Sequence, residues 1–268
     1  MITFKRLGLV FAAATLIGAT TQETMTHVRA WRVDHEKQIL LELFDLLSIP
    51  NVAANPRDIQ RNAEALTRMF EHRRFAPEIV PTGGAPLVIA ERRIPNVRRT
   101  LTFYFHYDGQ PVDPSEWTYE APFKPVIVAE HEPAGRTITL TTWQDRIDPE
   151  WRVFGRSASD DKSPIVAFLA AIEALDAANI ALTSNIRVIM EGEEEAGSPN
   201  LEKAMRDHAD RIRADALLLV DGPRHASDRP TLNSCDRYRQ PSRTGSAPRW
   251  STASIAATRS TPASVAGG

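Results

Sequence analysis

The sequence predicts a layered α/β domain followed by an unpatterned tail. Apolar residues recur at helical spacing near the start, and β-branched or aromatic runs then alternate with helical stretches as far as Val220. After Arg229 the composition turns to Ser, Thr, Ala, Arg and Pro, and neither period is visible.

The first helix is expected from Val33 onward, because Ile39, Leu40, Leu43, Leu46 and Leu47 fall on one face and Pro50 ends the run. A second helix follows, with Asn55 as its cap, Pro56 in its first turn, and Ile59, Ala63, Leu66 and Phe70 along one side. Strands are expected over 78–80, 87–90 and 101–107, separated by the turn formers Gly83, Gly84 and Pro95. Beyond a proline-rich passage, Ser163 and Pro164 signal a helix start, and 186–190 reads as a strand. A helix over 201–212 leads to a strand over 216–220, whose unbroken apolar run suits an interior position covered on both faces.

The chain has 268 residues, 32 basic against 34 acidic side chains, and 42% hydrophobic residues, which is ordinary for a globular enzyme with a sizeable core. This balance implies neither nucleic acid nor a charged membrane surface as a partner. Cys235 is the sole cysteine, so a metal would be held by His, Asp and Glu. Lys5 and Arg6 precede an apolar run that ends at Ile17, followed by Gly18, Ala19 and Thr20, the layout of a secretory signal peptide. A secreted or periplasmic location is expected, with no membrane association after cleavage. An uncleaved anchor is the alternative, although the run falls short of the roughly 20 apolar residues of a span.

Four clusters could carry chemistry, each at a strand end or helix start, where an α/β sheet places its crevice. His106 ends one strand, and Asp108, two residues on, could receive its second imidazole N–H. A partly buried His beside a solvated Asp is the plainer account. The small-residue loop from Gly155 delivers Asp160 and Asp161 to a helix start, where acids also favour the helix dipole. Glu193, Glu194 and Glu195 follow an apolar strand, as a metal site or as a solvated turn. Asp221 follows the last strand, where a turn-forming Asp is equally at home.

Taken together, their order and spacing resemble the M20 metallopeptidase family, which includes carboxypeptidase G, carnosinase-like dipeptidases, acetylornithine deacetylase and succinyl-diaminopimelate desuccinylase. The resemblance spans 33–228. It rests on His106-Tyr107-Asp108-Gly109-Gln110-Pro111-Val112-Asp113, on Gly155 through Lys162 with Ser157 in place of a glycine, and on Glu191 through Ser198. It implies an incomplete three-layer zinc-peptidase-like domain with a mixed, mainly parallel sheet. It also implies metal-dependent hydrolysis of amide bonds in dipeptides or N-acyl amino acids. By the same resemblance His106 would bind one metal, Asp160 would bridge two, Glu195 would bind the second and Asp221 would complete the first. Asp108 would orient His106, Glu194 would shuttle the proton, and Glu193 receives no role. Two divalent ions follow, zinc foremost, with manganese or cobalt compatible. A cis peptide between Asp160 and Asp161 is implied as well.

Members of the family continue with a lid and dimerisation domain and a last metal-binding His. No histidine follows His225. The expected organisation is a signal peptide over 1–21, a partial catalytic domain over 27–228, and a disordered tail over 229–268 that reads as a shifted frame. Homodimerisation is left open, and the alternatives are a non-catalytic metal- or peptide-binding remnant or an unstable fragment.

Overall fold

The computed structural model describes residues 20–129, 136–138 and 147–221, together with the backbone of 232–235 and 252–255. The expected signal peptide up to residue 19 lies outside the described residues, and no helix among those described is long and apolar enough to cross a membrane.

Helix α1 spans Thr21–Leu47, beginning twelve residues before the apolar periodicity does. A capping box explains the early start: the Thr20 hydroxyl accepts from the Glu23 N–H, and the Glu23 carboxylate accepts from the Thr20 N–H. Only Leu43, Leu46 and Leu47 at its C-terminal end are fully buried. Helix α2 (Pro56–Glu71) starts as expected, with the Asn55 side chain accepting from the Asp58 N–H. Helix α3 (Lys162–Ala177) starts one residue before the expected cap Ser163, with Asp161 at the N-cap position. The last helical stretch breaks at His208 into α4 (Leu201–Asp207) and α5 (Ala209–Ile212).

Strands β1 (Ala76–Val80), β2 (Leu87–Arg92), β3 (Thr100–His106), β7 (Asn185–Glu191) and β8 (Ala216–Leu219) form the main sheet in the order β1-β2-β7-β3-β8. The pairs β1–β2 and β2–β7 are antiparallel, while β7–β3 and β3–β8 are parallel, an even split in place of the expected parallel majority. Between His106 and Asp160 in the chain lies a small sheet that no periodicity predicts: β4 (Val126–Val128) pairs with β5 (Thr137–Ile138) and β6 (Arg152–Phe154).

Alternation along β2 explains the layering. Val88 and Ala90 face α1, α2 and α3 in the larger core, while Leu87 and Ile89 face Ala204 and Leu201 on the other side. Partly buried Phe168 of α3 packs against the larger core, with ring centroids of Phe103, Phe105, Phe70 and Phe75 at 4.9, 5.7, 6.2 and 6.2 Å. Arg73 ties α1 to α3 across this layer, donating to both Glu42 and Glu173.

Strand β8 corrects one expectation. It occupies the sheet edge, hydrogen-bonded only to β3 among the described residues, with Leu217 53% and Leu219 54% exposed. An apolar run is compatible with an interior strand but does not require a second neighbour. In the tail, where no strand was expected, β9 (Leu232–Cys235) pairs antiparallel with β10 (Thr252–Ile255). Neither segment, Leu-Asn-Ser-Cys or Thr-Ala-Ser-Ile, carries the run of β-branched and aromatic residues that marks a strand. The remainder of the expected disordered tail lies outside the described residues.

Candidate metal centre

Parallel pairing brings the clusters together. β7, β3 and β8 run side by side in one direction, so their C-terminal ends open on one edge of the sheet. His106 ends β3 opposite Glu191, the acidic turn follows β7, and Asp221 lies two residues past β8. The loop joining β6 to α3 supplies Asp160. The peptide between Asp160 and Asp161 is cis, as the resemblance implies.

His106 is fully buried and central. Its Nε2 lies 2.7 Å from Asp160 Oδ1 and 3.9 Å from Asp221 Oδ2. On the far side of the ring, Nδ1 lies 3.3 Å from Asp108 Oδ1, without a well-aligned hydrogen bond. The backbone N–H of His106 donates to Asp161 Oδ2 at 3.2 Å. Burial by itself would lower the imidazole pKa, but Asp108, Asp161 and Asp160 outweigh it and raise it to about 10. Burial also pushes Asp161 up to about 8, against the pull of His106.

The acidic turn is a single 3-10 turn, Glu194–Ala196, which points successive carboxylates in different directions. Asp108, wholly buried, holds its start: Oδ1 accepts the Glu194 N–H at 3.1 Å and Oδ2 accepts the Glu195 N–H at 3.0 Å. One ligand atom each from His106, Glu194 and Asp221 lie within 4.8 Å of one another. Glu195 turns instead toward an open cleft of about 310 Å3, where Gln110 donates to it and which it shares with Arg156, Ser159 and Asp160. Burial raises the Glu194 pKa; His106 opposes the rise, and Asp221, Glu195 and Asp108 add to it.

The donors fit a divalent cation. One buried imidazole nitrogen and several carboxylate oxygens converge, and carboxylates held this close repel one another unless a cation offsets them. Asp160, with its side chain 61% exposed, can reach both His106 and the cleft that contains Glu195.

Several residues brace the site through contacts that sequence spacing alone does not reveal. Glu193 accepts from the Ala85 N–H and from the backbone and side chain of Asn200, fastening the acidic turn to the β1–β2 loop and to the start of α4. Tyr104 donates to Glu191 at 2.5 Å in a buried pair behind the turn, and burial raises the Glu191 pKa. Gly192 must lack a side chain, since a Cβ there would come within 2.4 Å of the Tyr107 hydroxyl. Lys162 is fully buried, donating to the carbonyls of Leu46 (2.8 Å) and Ile49 (3.0 Å), and burial takes its pKa well below the ordinary lysine value.

The family model of Peptidase family M20/M25/M40 matches residues 102–265. The chain is 30% identical over 149 residues to the Cys-Gly metallodipeptidase dug1 of Schizosaccharomyces pombe, which covers 55% of this chain and 27% of that protein. It is 30% identical over 150 residues to the Beta-Ala-His dipeptidase of Homo sapiens, 54% of this chain and 25% of that one. The chain thus spans about a quarter of the length of these curated relatives. Among solved structures, the M20 family metallo-carboxypeptidase Sso-CP2 from Sulfolobus solfataricus superposes with a TM-score of 0.59 at 32% identity, over 74% of this chain and 40% of that one. Human carnosine dipeptidase 1, at 22% identity and a TM-score of 0.59 over 74% of this chain and 41% of that one, shares the fold. With more than half of its length matched, the chain belongs to peptidase family M20/M25/M40.

Proposed function

We propose that the chain carries the metal-binding portion of a hydrolase acting on amide bonds of small peptides or N-acyl amino acids. The observation that carries this reading is the buried Asp108 carboxylate, which faces His106 and receives the N–H groups of Glu194 and Glu195. One carboxylate thereby sets both a ligand and the acidic turn, an arrangement typical of the outer shell of a metal site. The dipeptidases named above support small peptides as the substrate class.

In this reading His106, Asp160 and Asp221 would hold one divalent ion, and Glu195, together with Asp160, would hold a second. Zinc is the ion proposed, with manganese or cobalt accepted by the same donors. Cations at this position supply Lewis acidity toward the amide carbonyl and acidify water. Glu194 takes the proton from the attacking water and delivers it to the leaving amine, and its raised pKa suits a group that must first accept and then donate. Asp108 holds His106 in place and keeps the Glu194 backbone fixed while its side chain works.

Lys5, Arg6 and the apolar run after them support export, so the site would act outside the cytoplasm. Metal binding without turnover is the second reading, favoured by the exposure of Asp160 in an open cleft. Dipeptides and N-acetyl amino acids offered to the zinc-loaded chain separate the two. Product release that stops with a chelator supports the hydrolase, and bound zinc with no product supports the second reading.

A further inference from the structure

The segment after α1 touches both ligand loops, and it lies outside every motif that carries the family resemblance. Asn51 is fully buried at the end of this segment. Its Nδ2 donates to the Tyr107 carbonyl at 2.7 Å, between His106 and Asp108, and to Ser157 Oγ at 2.9 Å, in the loop that leads to Asp160. Its own carbonyl accepts the Gly109 N–H at 2.9 Å, and Val52 bridges to Gly109. Two residues earlier, the Ile49 carbonyl accepts from Lys162 Nζ at 3.0 Å, just past the cis peptide.

The fit around Asn51 is tight. A Cβ on Gly109 would lie 2.3 Å from Ser157 Oγ and 3.1 Å from Asn51 Oδ1, so the His106 loop and the Asp160 loop meet here with no room for a side chain. Ser157 has a φ of 60°, the left-handed region that favours glycine, in the place where the family pattern has a glycine. The serine hydroxyl contributes an acceptor that glycine lacks, and Asn51 uses it.

We infer that Asn51 is a positioning residue, whose side-chain amide fixes the His106 loop against the Asp160 loop and so sets the spacing of the two ligands. This rests on the reading of the site as a metal centre. Through Tyr107 the amide acts on the backbone that carries both His106 and Asp108, and through Ser157 it acts on the approach to Asp160. Neither contact reaches the cation itself, so removing the amide leaves every ligand present while loosening the distance between them. The 2.7 Å approach of His106 Nε2 to Asp160 Oδ1 is the geometry it protects.

The test compares Asn51→Ala with Leu66→Ala in the full chain. Leu66 is fully buried in α2 and touches neither ligand loop through a hydrogen bond, so it reports destabilisation alone. Cobalt(II) is titrated into each protein, reading its visible absorption and its affinity against a competing chelator, with thermal unfolding recorded in parallel. Asn51→Ala is expected to weaken cobalt about tenfold, in the range for outer-shell partners, and to change the absorption bands. Leu66→Ala should lower the unfolding temperature at least as much while leaving affinity and spectrum at the wild-type values. Equal cobalt binding by wild type and Asn51→Ala would overturn the inference alone. A wild-type chain that binds no cobalt would overturn the underlying metal reading as well.

Discussion

The buried carboxylate of Asp108 accepts the backbone N–H of Glu194 at 3.1 Å. The same oxygen lies 3.3 Å from His106 Nδ1, so one atom couples the end of β3 to the turn after β7. Asp108→Asn keeps the shape but replaces one acceptor oxygen with an amide donor that faces the Glu194 or Glu195 N–H. Metal affinity, measured by competition with a chelator, should fall about 10–100-fold. An unchanged affinity would remove Asp108 from the site.

Metal uptake should release protons. The His106 imidazole, raised to about 10 by its carboxylate neighbours, carries its proton at neutral pH and must lose it when a cation takes Nε2. Affinity should therefore climb as pH rises toward about 10, and titrating zinc into a weakly buffered solution should acidify it. Binding that shows no pH dependence between about 6 and 9, where the imidazole of the free protein is still protonated, would contradict this.

Strong acid should weaken the packing of α3 on the sheet. Asp176 pairs with Arg92 and Arg74; burial alone would raise its pKa, but the two guanidinium groups bring it below the ordinary 3.8. A depressed carboxylate adds stability that is fully present above 3.8 and is lost as pH falls through its lower folded value. Asp176→Asn should cost about 1 kcal/mol at pH 7 after allowing for solvent screening. In urea titrations its difference from wild type should shrink progressively below pH 3.8.

The edge of the sheet should govern self-association. Leu217 and Leu219 share one face of β8, and each is more than half exposed on a strand paired on one side only among the described residues. Replacing both with lysine should reduce concentration-dependent light scattering with little change in unfolding temperature, because neither side chain belongs to the buried core. Undiminished scattering would place the sticky surface elsewhere.

Much of this arrangement was legible in the residues. Helix α2 declared itself through Asn55, Pro56 and one apolar stripe, and His106, Asp160, Glu194 and Asp221 stood at strand ends or before a helix, as crevice residues do. The start of α1 was less visible because a capping box at Thr20 and Glu23 needs no apolar period behind it. Asn51 was silent, and Glu193 stood in the acidic run without a role, for another reason: their partners lie far away in the chain, Asn51 on Tyr107 and Ser157, Glu193 on Ala85. An interior position for β8 could not be told from an edge, since one strand's own pattern does not count its neighbours. The small β4–β5–β6 sheet was hidden by prolines and by strands of two or three residues.

Zinc content measured together with dipeptide hydrolysis decides whether these four clusters form a divalent-metal site served by Glu194. The wild-type chain should retain zinc after dialysis and release amino acids from a dipeptide, while Glu194→Gln should keep its zinc and lose turnover by at least about 100-fold, as expected for a general base. A wild-type chain that emerges without zinc, or a Glu194→Gln variant that hydrolyses as fast as wild type, would contradict it.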